Sequence, residues 1–315
     1  MIKKILITDK VHHLLIDGLK GLGCEVIYDT SVDNATLNNI IGQFDGVIIN
    51  SKIIMDKARI DLGIKLKFIG RLGSGLEIID VPYAQSKGIK VHNSPEGNRN
   101  AVAEHEVGMI LSLMNHLLRA DREVRELHWD REKNRGMEIN GKTIGIIGLG
   151  HTGGAFATKW QGWGCRVISY DKYKTSYDPV LNFVEKTDFE SILSQSDIIS
   201  FHLPLTAETT HMVDTSFLYQ CKPGVIISNT SRGQVIDTIA LVEALKNGQV
   251  SGACLDVFEN EKPNHYSTSE MLLYRELFSF DNVILSPHIA GWTKESLEGI
   301  ARVLLDKIVS AHFKN

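Results

Sequence analysis

The sequence predicts an α/β protein of two lobes, each a parallel sheet with helices on both faces. Three observations carry this expectation: a length of 315 residues, an average composition, and two separate runs in which short β-branched segments alternate with longer amphipathic ones. At roughly 150 residues per domain, the length points to about two domains. The 43% hydrophobic and 23% charged residues lie near the globular average, which excludes a disordered or collagen-like chain.

The first run has strand candidates at residues 2–8, 47–50, 68–71 and 89–92, with helix candidates at 11–22, 35–43 and 81–86. Strands separated by helices require a parallel sheet, because each crossover lays a helix on a face. Residues 1 to about 95 thus make one α/β unit. A long helix is expected from Asn98 to about Leu127, since Ala101, His105, Gly108, Met109, Ser112 and Leu113 fall at helical spacing. The polar, basic segment 130–141 reads as a surface connection ending in an Asn-Gly turn.

The second run has strand candidates at 143–147, 166–170, 197–201, 225–229, 252–257 and 283–286, with helices notably at 152–163 and 239–247 and a closing helix at 293–313. Six strands in one such unit match a doubly wound sheet. Charge excludes several function classes. Lys+Arg 34 against Asp+Glu 38 leaves −4, which gives no general attraction to nucleic acid or to an anionic membrane surface. Cys24, Cys165, Cys221 and Cys254 are far apart and lack metal-type spacing, so they read as core residues of a reducing compartment. The N-terminal apolar run is too short for a signal peptide and no stretch reaches 18 apolar residues, so the expectation is a cytoplasmic protein.

The strand candidate 143–147 runs straight into Gly148-Leu149-Gly150-His151-Thr152-Gly153, and a helix candidate follows. In this context GxGxxG is a dinucleotide fingerprint. Gly148 serves the tight turn, Gly150 lets backbone approach a pyrophosphate at the helix N-terminus, and Gly153 allows close helix–strand packing. Asp171 ends the next strand, 18 residues after Gly153, where a carboxylate accepts from ribose hydroxyls and repels a 2′-phosphate. The cofactor expected is NAD, with Lys172 and Lys174 moderating the preference, in a Rossmann-type lobe. The ordinary alternative for Asp171 is a solvated acid in a turn.

Open α/β sheets place their sites at the carboxyl ends of strands. Arg232, Glu261 and His288 each follow one of the later strand candidates. Taken singly they have structural readings: a surface arginine, a solvated acid, a capped histidine.

Together with these residues, Ser231-Arg232-Gly233-Gln234-Val235-Ile236-Asp237, Leu255-Asp256-Val257-Phe258-Glu259, Ser286-Pro287-His288-Ile289-Ala290-Gly291 and Gly73-Ser74-Gly75 resemble the signatures of the D-isomer-specific 2-hydroxyacid dehydrogenases. The resemblance runs from about Leu6 to the last helix. It implies an NAD lobe over 98–287 and a flavodoxin-like substrate lobe of 1–97 with 288–315, hinged near Asn98 and His288. It also implies the catalytic set. His288 is the acid in reduction and the base in oxidation, a role that suits a group titrating near neutrality. Glu261 orients the ring, and Arg232 offers a planar fork to the carboxylate and keto oxygen. On the cofactor, the resemblance places His151 and Thr152 at the pyrophosphate, Leu203 at the edge, and Thr230, Ser231, Asp256 and Gly291 near the nicotinamide, with Asp256 on its carboxamide.

Several positions depart from the family's pattern. His151 stands where an arginine is common, and Glu261-Lys262-Pro263 replaces the usual Glu-Pro, which leaves Glu259 as an alternative partner for His288. Glu77 replaces an aspartate near the glycine-rich turn. On the substrate side the resemblance assigns the carboxylate to Ser74 and Gly75, whose turn can form an anion nest, and a phosphate to Arg71. Residues 69–75 and 93–98 look most like short phosphoglycerate dehydrogenases without a regulatory domain. Asn50-Ser51-Lys52 stands where another basic residue is usual, and Arg131 is a candidate to reach a partner's site. The substrate expected is 3-phosphoglycerate, with glyoxylate, hydroxypyruvate or another 2-keto acid as the alternative. The implied assembly is a homodimer through the long helix from Asn98, with no metal.

An NAD(H)-sensing binding protein is the competing class, because this fold also serves corepressors. A formate dehydrogenase is disfavoured because it pairs its histidine with Gln, whereas Glu261 is present. Hydrolase readings fail: Glu104-His105-Glu106 lacks the second histidine of HExxH, and no Gly-x-Ser-x-Gly elbow occurs.

Overall fold

The computed structural model describes residues 2–174 and 176–313. They form two compact units, Met1–Arg99 with Trp292–Asn315, and Asn100–Gly291. The second crossing lies at 291/292 rather than at 287/288. His288 therefore belongs to the unit that carries the glycine fingerprint, not to the one placed first in the chain. The cause is local. The His288 amide donates to the Asp256 carbonyl at 2.7 Å, and the Asp256 carboxylate accepts from the Ile289 and Ala290 amides at 2.9 Å each.

The first unit is a five-stranded parallel sheet of β1 (Lys4–Ile7), β2 (Glu25–Tyr28), β3 (Gly46–Ile49), β4 (Phe68–Arg71) and β5 (Lys90–His92), in the order β2-β1-β3-β4-β5. That is the flavodoxin order. Alternate side chains serve opposite faces. Ile5 and Ile7 meet Leu15, Leu19, Leu304 and Ile308, while Leu6, Val47 and Ile49 meet Leu37, Ile41 and Ile60. Burial on both faces explains why these strands read as continuous apolar runs. The exceptions are the two edge strands: β5, Lys90-Val91-His92 with none of its residues fully buried, and β2, whose ends are exposed and which the sequence pattern does not reveal.

The second unit is a seven-stranded parallel sheet: β6 (Thr143–Ile147), β7 (Arg166–Tyr170), β8 (Glu185–Lys186), β9 (Ile198–Phe201), β10 (Val225–Asn229), β11 (Val250–Leu255) and β12 (Val283–Leu285). Their order is β12-β11-β10-β9-β6-β7-β8. The chain reverses direction across the sheet between β6 and β9, and that switch point is where a doubly wound sheet opens a ligand crevice. One face packs Ile147, Ile199, Phe201, Ile227 and Leu255 against helices Phe189–Gln195, Thr215–Gln220, Thr238–Lys246 and Thr268–Ser279. The other packs Ile144, Ile146, Ile198, Ile226 and Cys254 against helices Arg99–Met114 and His151–Lys159.

The single helix expected from Asn98 to Leu127 is instead two, Arg99–Met114 and Leu117–Arg125. His116 takes the left-handed conformation (φ 53°) between them. The returning chain closes the break: the Met137 amide donates to the Met114 carbonyl at 2.9 Å, so the first helix's end is satisfied by other backbone. The seventh strand, β8, is a two-residue exposed edge segment that carries no sequence signal.

Candidate active site

The fingerprint folds as the spacing requires. Gly148 sits at φ 91°, where a side chain would also meet the His202 carbonyl at 2.5 Å. A Cβ on Gly153 would run into the Gly148 carbonyl. Gly150 differs: it is the N-cap of helix His151–Lys159, makes no side-chain cap bond, and has open space where its Cβ would be. A helix N-terminus bordered by a glycine facing open space is the cradle a pyrophosphate needs. His151 and Thr152 lie in that first turn, and Leu203 abuts Gly148.

Asp171 ties the cradle to the next strand. Its carboxylate accepts from the Leu149 amide at 2.8 Å, inside the fingerprint, and from the Tyr173 and Lys174 amides at 3.0 and 2.9 Å. Burial pushes its carboxyl up. The three amides and the Lys174 charge outweigh burial and hold it below the usual carboxylate range.

At the carboxyl ends of β10, β11 and β12 the fold brings Arg232, Glu261 and His288 into one cluster. The His288 Nδ1 lies 3.0 and 2.9 Å from the two Glu261 oxygens. With Nδ1–H given to the carboxylate, Nε2 is the atom left to exchange a proton with a ligand. Partial desolvation pushes the carboxyl of the exposed Glu261 up. The hydrogen bond and charge of His288, then the Phe258 amide and the Arg232 charge, overcome this and hold it below its ordinary value. Glu259, the alternative partner, is engaged elsewhere: it bonds His211 at 2.6 Å and accepts from the Thr238 amide at 2.7 Å.

His288 has a φ of 55°, a conformation that a β-substituted residue adopts at a cost of roughly 1–2 kcal/mol. Asp256 supports it. This fully buried residue accepts from the Ser286 hydroxyl at 2.5 Å besides the Ile289 and Ala290 amides, and so fixes the turn that ends at Gly291. Ser286 is also 2.9 Å from His105 Nε2. The Arg232 backbone is held in parallel by Asn229, whose Nδ2 donates to the Arg232 carbonyl at 2.9 Å and whose Oδ1 accepts from the Ser231 amide and hydroxyl at 3.0 and 2.7 Å.

The first unit holds the remaining candidates. Arg71 ends β4, and Gly73 takes φ 129°, a conformation that side-chain-bearing residues rarely adopt, with the Arg71 guanidinium filling the space where a Cβ would lie. Segment 93–98 braces this turn: Asn93 Nδ2 donates to the Ser74 carbonyl at 2.6 Å, Ser74 Oγ to Asn98 Oδ1 at 3.2 Å, and the Gly73 amide to Ser94 Oγ at 3.0 Å. Gly75 follows in the same turn. Lys52 is directed elsewhere: its amine donates to the Thr30 carbonyl at 2.7 Å. Arg131 lies in an exposed loop.

Sequence reasoning overlooked Glu106. It is fully buried on helix Arg99–Met114 beneath the ends of β9 and β10. The signal was available, since Glu106 lies three or four residues from Val102, Ala103, Met109 and Ile110 on the buried helix face.

A parallel sheet with a glycine-fingerprint helix and a histidine–carboxylate pair beside an arginine defines a dinucleotide-binding protein of the dehydrogenase class. Residues 107–290 match the model of the D-isomer specific 2-hydroxyacid dehydrogenase, NAD binding domain. A D-3-phosphoglycerate dehydrogenase of Archaeoglobus fulgidus is 33% identical over 98% of this chain and 57% of its own length. A hydroxypyruvate reductase of Thermotoga maritima is 38% identical over 86% of each chain. Among solved structures, D-lactate dehydrogenase from Aquifex aeolicus, complexed with NAD and lactic acid, superposes with a TM-score of 0.84 at 31% identity, covering 98% of this chain and 95% of that one. The chain belongs to the D-isomer specific 2-hydroxyacid dehydrogenase family and carries its NAD-binding domain. It spans about half the length of the phosphoglycerate dehydrogenases it matches.

Proposed function

We propose that this protein interconverts a D-2-hydroxy acid and its 2-keto acid with NAD, and that its substrate pair is 3-phosphoglycerate and 3-phosphohydroxypyruvate. The observation that carries the reaction class is the His288–Glu261 pair beside Arg232 at the strand ends of the fingerprint-bearing unit. When bound, the nicotinamide supplies or takes the hydride at C2 of the acid. In reduction, Arg232 binds the substrate carboxylate and polarises the keto oxygen. His288 Nε2–H gives its proton to the oxygen as it becomes a hydroxyl, and Glu261 stabilises the charged imidazole from the Nδ1 side. Oxidation reverses each transfer. The cofactor contacts follow the fingerprint: Gly148, Gly150, His151, Thr152 and Gly153 at the pyrophosphate, Asp171 at the ribose, and Leu203, Thr230, Ser231, Asp256 and Gly291 toward the nicotinamide.

The phosphate reading rests on Arg71, whose guanidinium is folded over the Gly73 turn, with Ser74 and Gly75 supplying the carboxylate site. One observation favours a second reading, hydroxypyruvate or glyoxylate as substrate: the match to the hydroxypyruvate reductase is higher in identity and spans most of that protein. Leu117, Leu118, Val124, Leu127 (93% exposed) and Trp129 (79%) present apolar surface around helix Leu117–Arg125, which supports a homodimer. The four cysteines, all free, fit a cytoplasmic setting.

The test is NADH consumption by the purified protein with phosphohydroxypyruvate, hydroxypyruvate, glyoxylate, pyruvate and 2-ketoglutarate. Preference for phosphohydroxypyruvate, lost in Arg71→Ala, is the expected result. Preference for an unphosphorylated acid transfers the assignment to the second reading. NADH binding with no turnover on any of the five refutes both substrate readings and leaves either a different 2-keto acid or a sensor.

A further inference from the structure

Beneath the strand ends lies a polar cluster that the reaction above does not use. Three hydroxyls converge on the buried Glu106 carboxylate: Ser200 Oγ and Ser228 Oγ, each 2.5 Å from Oε1, and Thr230 Oγ1, 2.9 Å from Oε2. Each hydroxyl has one hydrogen and gives it inward, and a carboxylate only accepts. Two titratable groups interact with it: His202, whose Nε2 is 2.8 Å from Ser200 Oγ and 3.8 Å from Glu106, and Cys254. Neither supplies a compensating cation. Burial pushes the His202 imidazole below its usual range against the pull of Glu106, and the Cys254 thiol is driven well up, by burial first and then by Glu106.

With three hydroxyls donating to it and no Lys or Arg bonded to it among the described residues, Glu106 is hydrogen-bonded as a carboxylate by hydroxyl dipoles. Such a charge is costly to bury, and its position suggests what it does. Thr230 is two residues before Arg232, and Ser200 is two residues before His202, whose carbonyl packs on Gly148. Glu106 thus bonds the ends of β9 and β10, on the side of the switch point that also carries Arg232 and His288. The two redox states of a nicotinamide have nearly the same shape and differ by one positive charge on the ring. A fixed negative charge on the ring's side of the crevice distinguishes them electrostatically, and neutral packing does not.

We propose that Glu106 is a positioning and electrostatic residue that tightens binding of the oxidised cofactor relative to the reduced one. This rests on the reading that the crevice binds NAD. Direct titration of the full-length protein with NAD+ and with NADH, following intrinsic fluorescence or heat, tests both. In Glu106→Gln the ratio of the NAD+ to the NADH dissociation constant should rise about tenfold, the scale of one unit charge acting over about a nanometre at an effective dielectric near 20. A purely structural role moves both constants together and leaves the ratio in place. That outcome, in a folded variant, overturns the proposal. Should Glu106→Gln fail to fold, the double variant Glu106→Leu/Ser228→Val removes the carboxylate together with one of its three hydroxyl partners, while Ser200 keeps His202 as a partner. The same rise in the ratio is expected there, and an unchanged ratio refutes it. Wild-type protein that binds neither form defeats the NAD reading and this proposal with it, whereas tight binding of both with an unmoved ratio defeats only the role of Glu106.

Discussion

Replacing Asp256 by Asn tests whether His288, the proposed acid, is held by its neighbours or merely adjacent to them. Asp256 is 0% exposed at the end of β11, and its carboxylate takes two amides and one hydroxyl from residues 286–290. An asparagine keeps one acceptor oxygen and turns an NH2 toward at least one amide that was a donor. Loss of one charge-assisted bond costs about 1.5–3 kcal/mol, and the opposed donors add to it. Differential scanning calorimetry should show the second unit melting lower by about 5–10 °C, since 1 kcal/mol shifts a unit of this size by about 2–4 °C. The kinetic effect comes from His288. With its anchor weakened, the backbone relaxes from φ 55°, and Nδ1 leaves the Glu261 oxygens at 2.9 and 3.0 Å. Turnover should fall about 100-fold or more, as expected when a general acid leaves its position. An unchanged melting temperature refutes the anchoring. A lowered one with full turnover refutes the claim that the anchor positions the histidine.

Three further outcomes are expected. His288→Asn places a residue that tolerates positive φ at 288, so stability should hold or rise while turnover falls by about 10²–10⁴ and NADH affinity persists; retained turnover in steady-state assays excludes His288 as the acid. Asp171→Ser should raise the NADPH-to-NADH ratio of kcat/KM, and should also lower the melting temperature because the Leu149, Tyr173 and Lys174 amides lose their acceptor; an unaltered cofactor ratio counts against the ribose role. His92 is lowered to about 4, by burial first and then by His312, Lys90 and Lys307, so the folded state binds fewer protons than the unfolded one between about pH 4 and 6.5. The His92 contribution to stability should therefore be lost as pH falls through that window, by roughly 1–2 kcal/mol for a half-buried ring, and carboxylates held low, such as Asp45 and Asp197, carry the decline on below it. Denaturant titrations at both ends of the window should show this decline flattened in His92→Gln, and an equal decline in both proteins would contradict it.

Strands buried on both faces were legible because Ile and Val runs dominate them, and β6, β7 and β10 begin and end where the pattern places them. The edge strands β2 and β8 were not. Half of β2 faces solvent and β8 is two charged residues, so what makes them strands is hydrogen bonding to a neighbour that the sequence does not display. The helix from Asn98 was overextended for a similar reason. Nothing in 115–116 forbids helix, and the break is made by tertiary contact with the chain at 136–137. In the sequence Glu106 stands in Glu104-His105-Glu106, which resembles an incomplete metal motif. Its place on the apolar helix face was written in the spacing, but its three hydroxyl partners come from β9, β10 and the residue after β10, about a hundred residues away.

The choice between Glu259 and Glu261 shows where spacing stops and packing begins. Two acids two residues apart on one loop are equivalent to any rule based on sequence distance, and Lys262 disturbs the usual motif between Glu261 and Pro263. Gly233 makes the distinction. A Cβ there would run into the Phe258 carbonyl, so the loop lies directly on the turn that follows Arg232. Held at that distance, Glu259 meets the Thr238 amide and His211. Asn260 then turns the chain: its amide donates to the Tyr274 hydroxyl at 3.0 Å, its Nδ2 to Glu270 at 2.9 Å, and its Oδ1 accepts from the Lys262 amide at 3.0 Å. Glu261, between those anchors, has only one direction left, back toward Phe258 and His288. Gly233→Ala should therefore displace Glu261 from the histidine without touching either residue. Turnover should drop toward the level of Glu261→Gln, and the two changes combined should do no more damage than either alone. Additive losses in that double-mutant cycle would show that the glycine acts elsewhere.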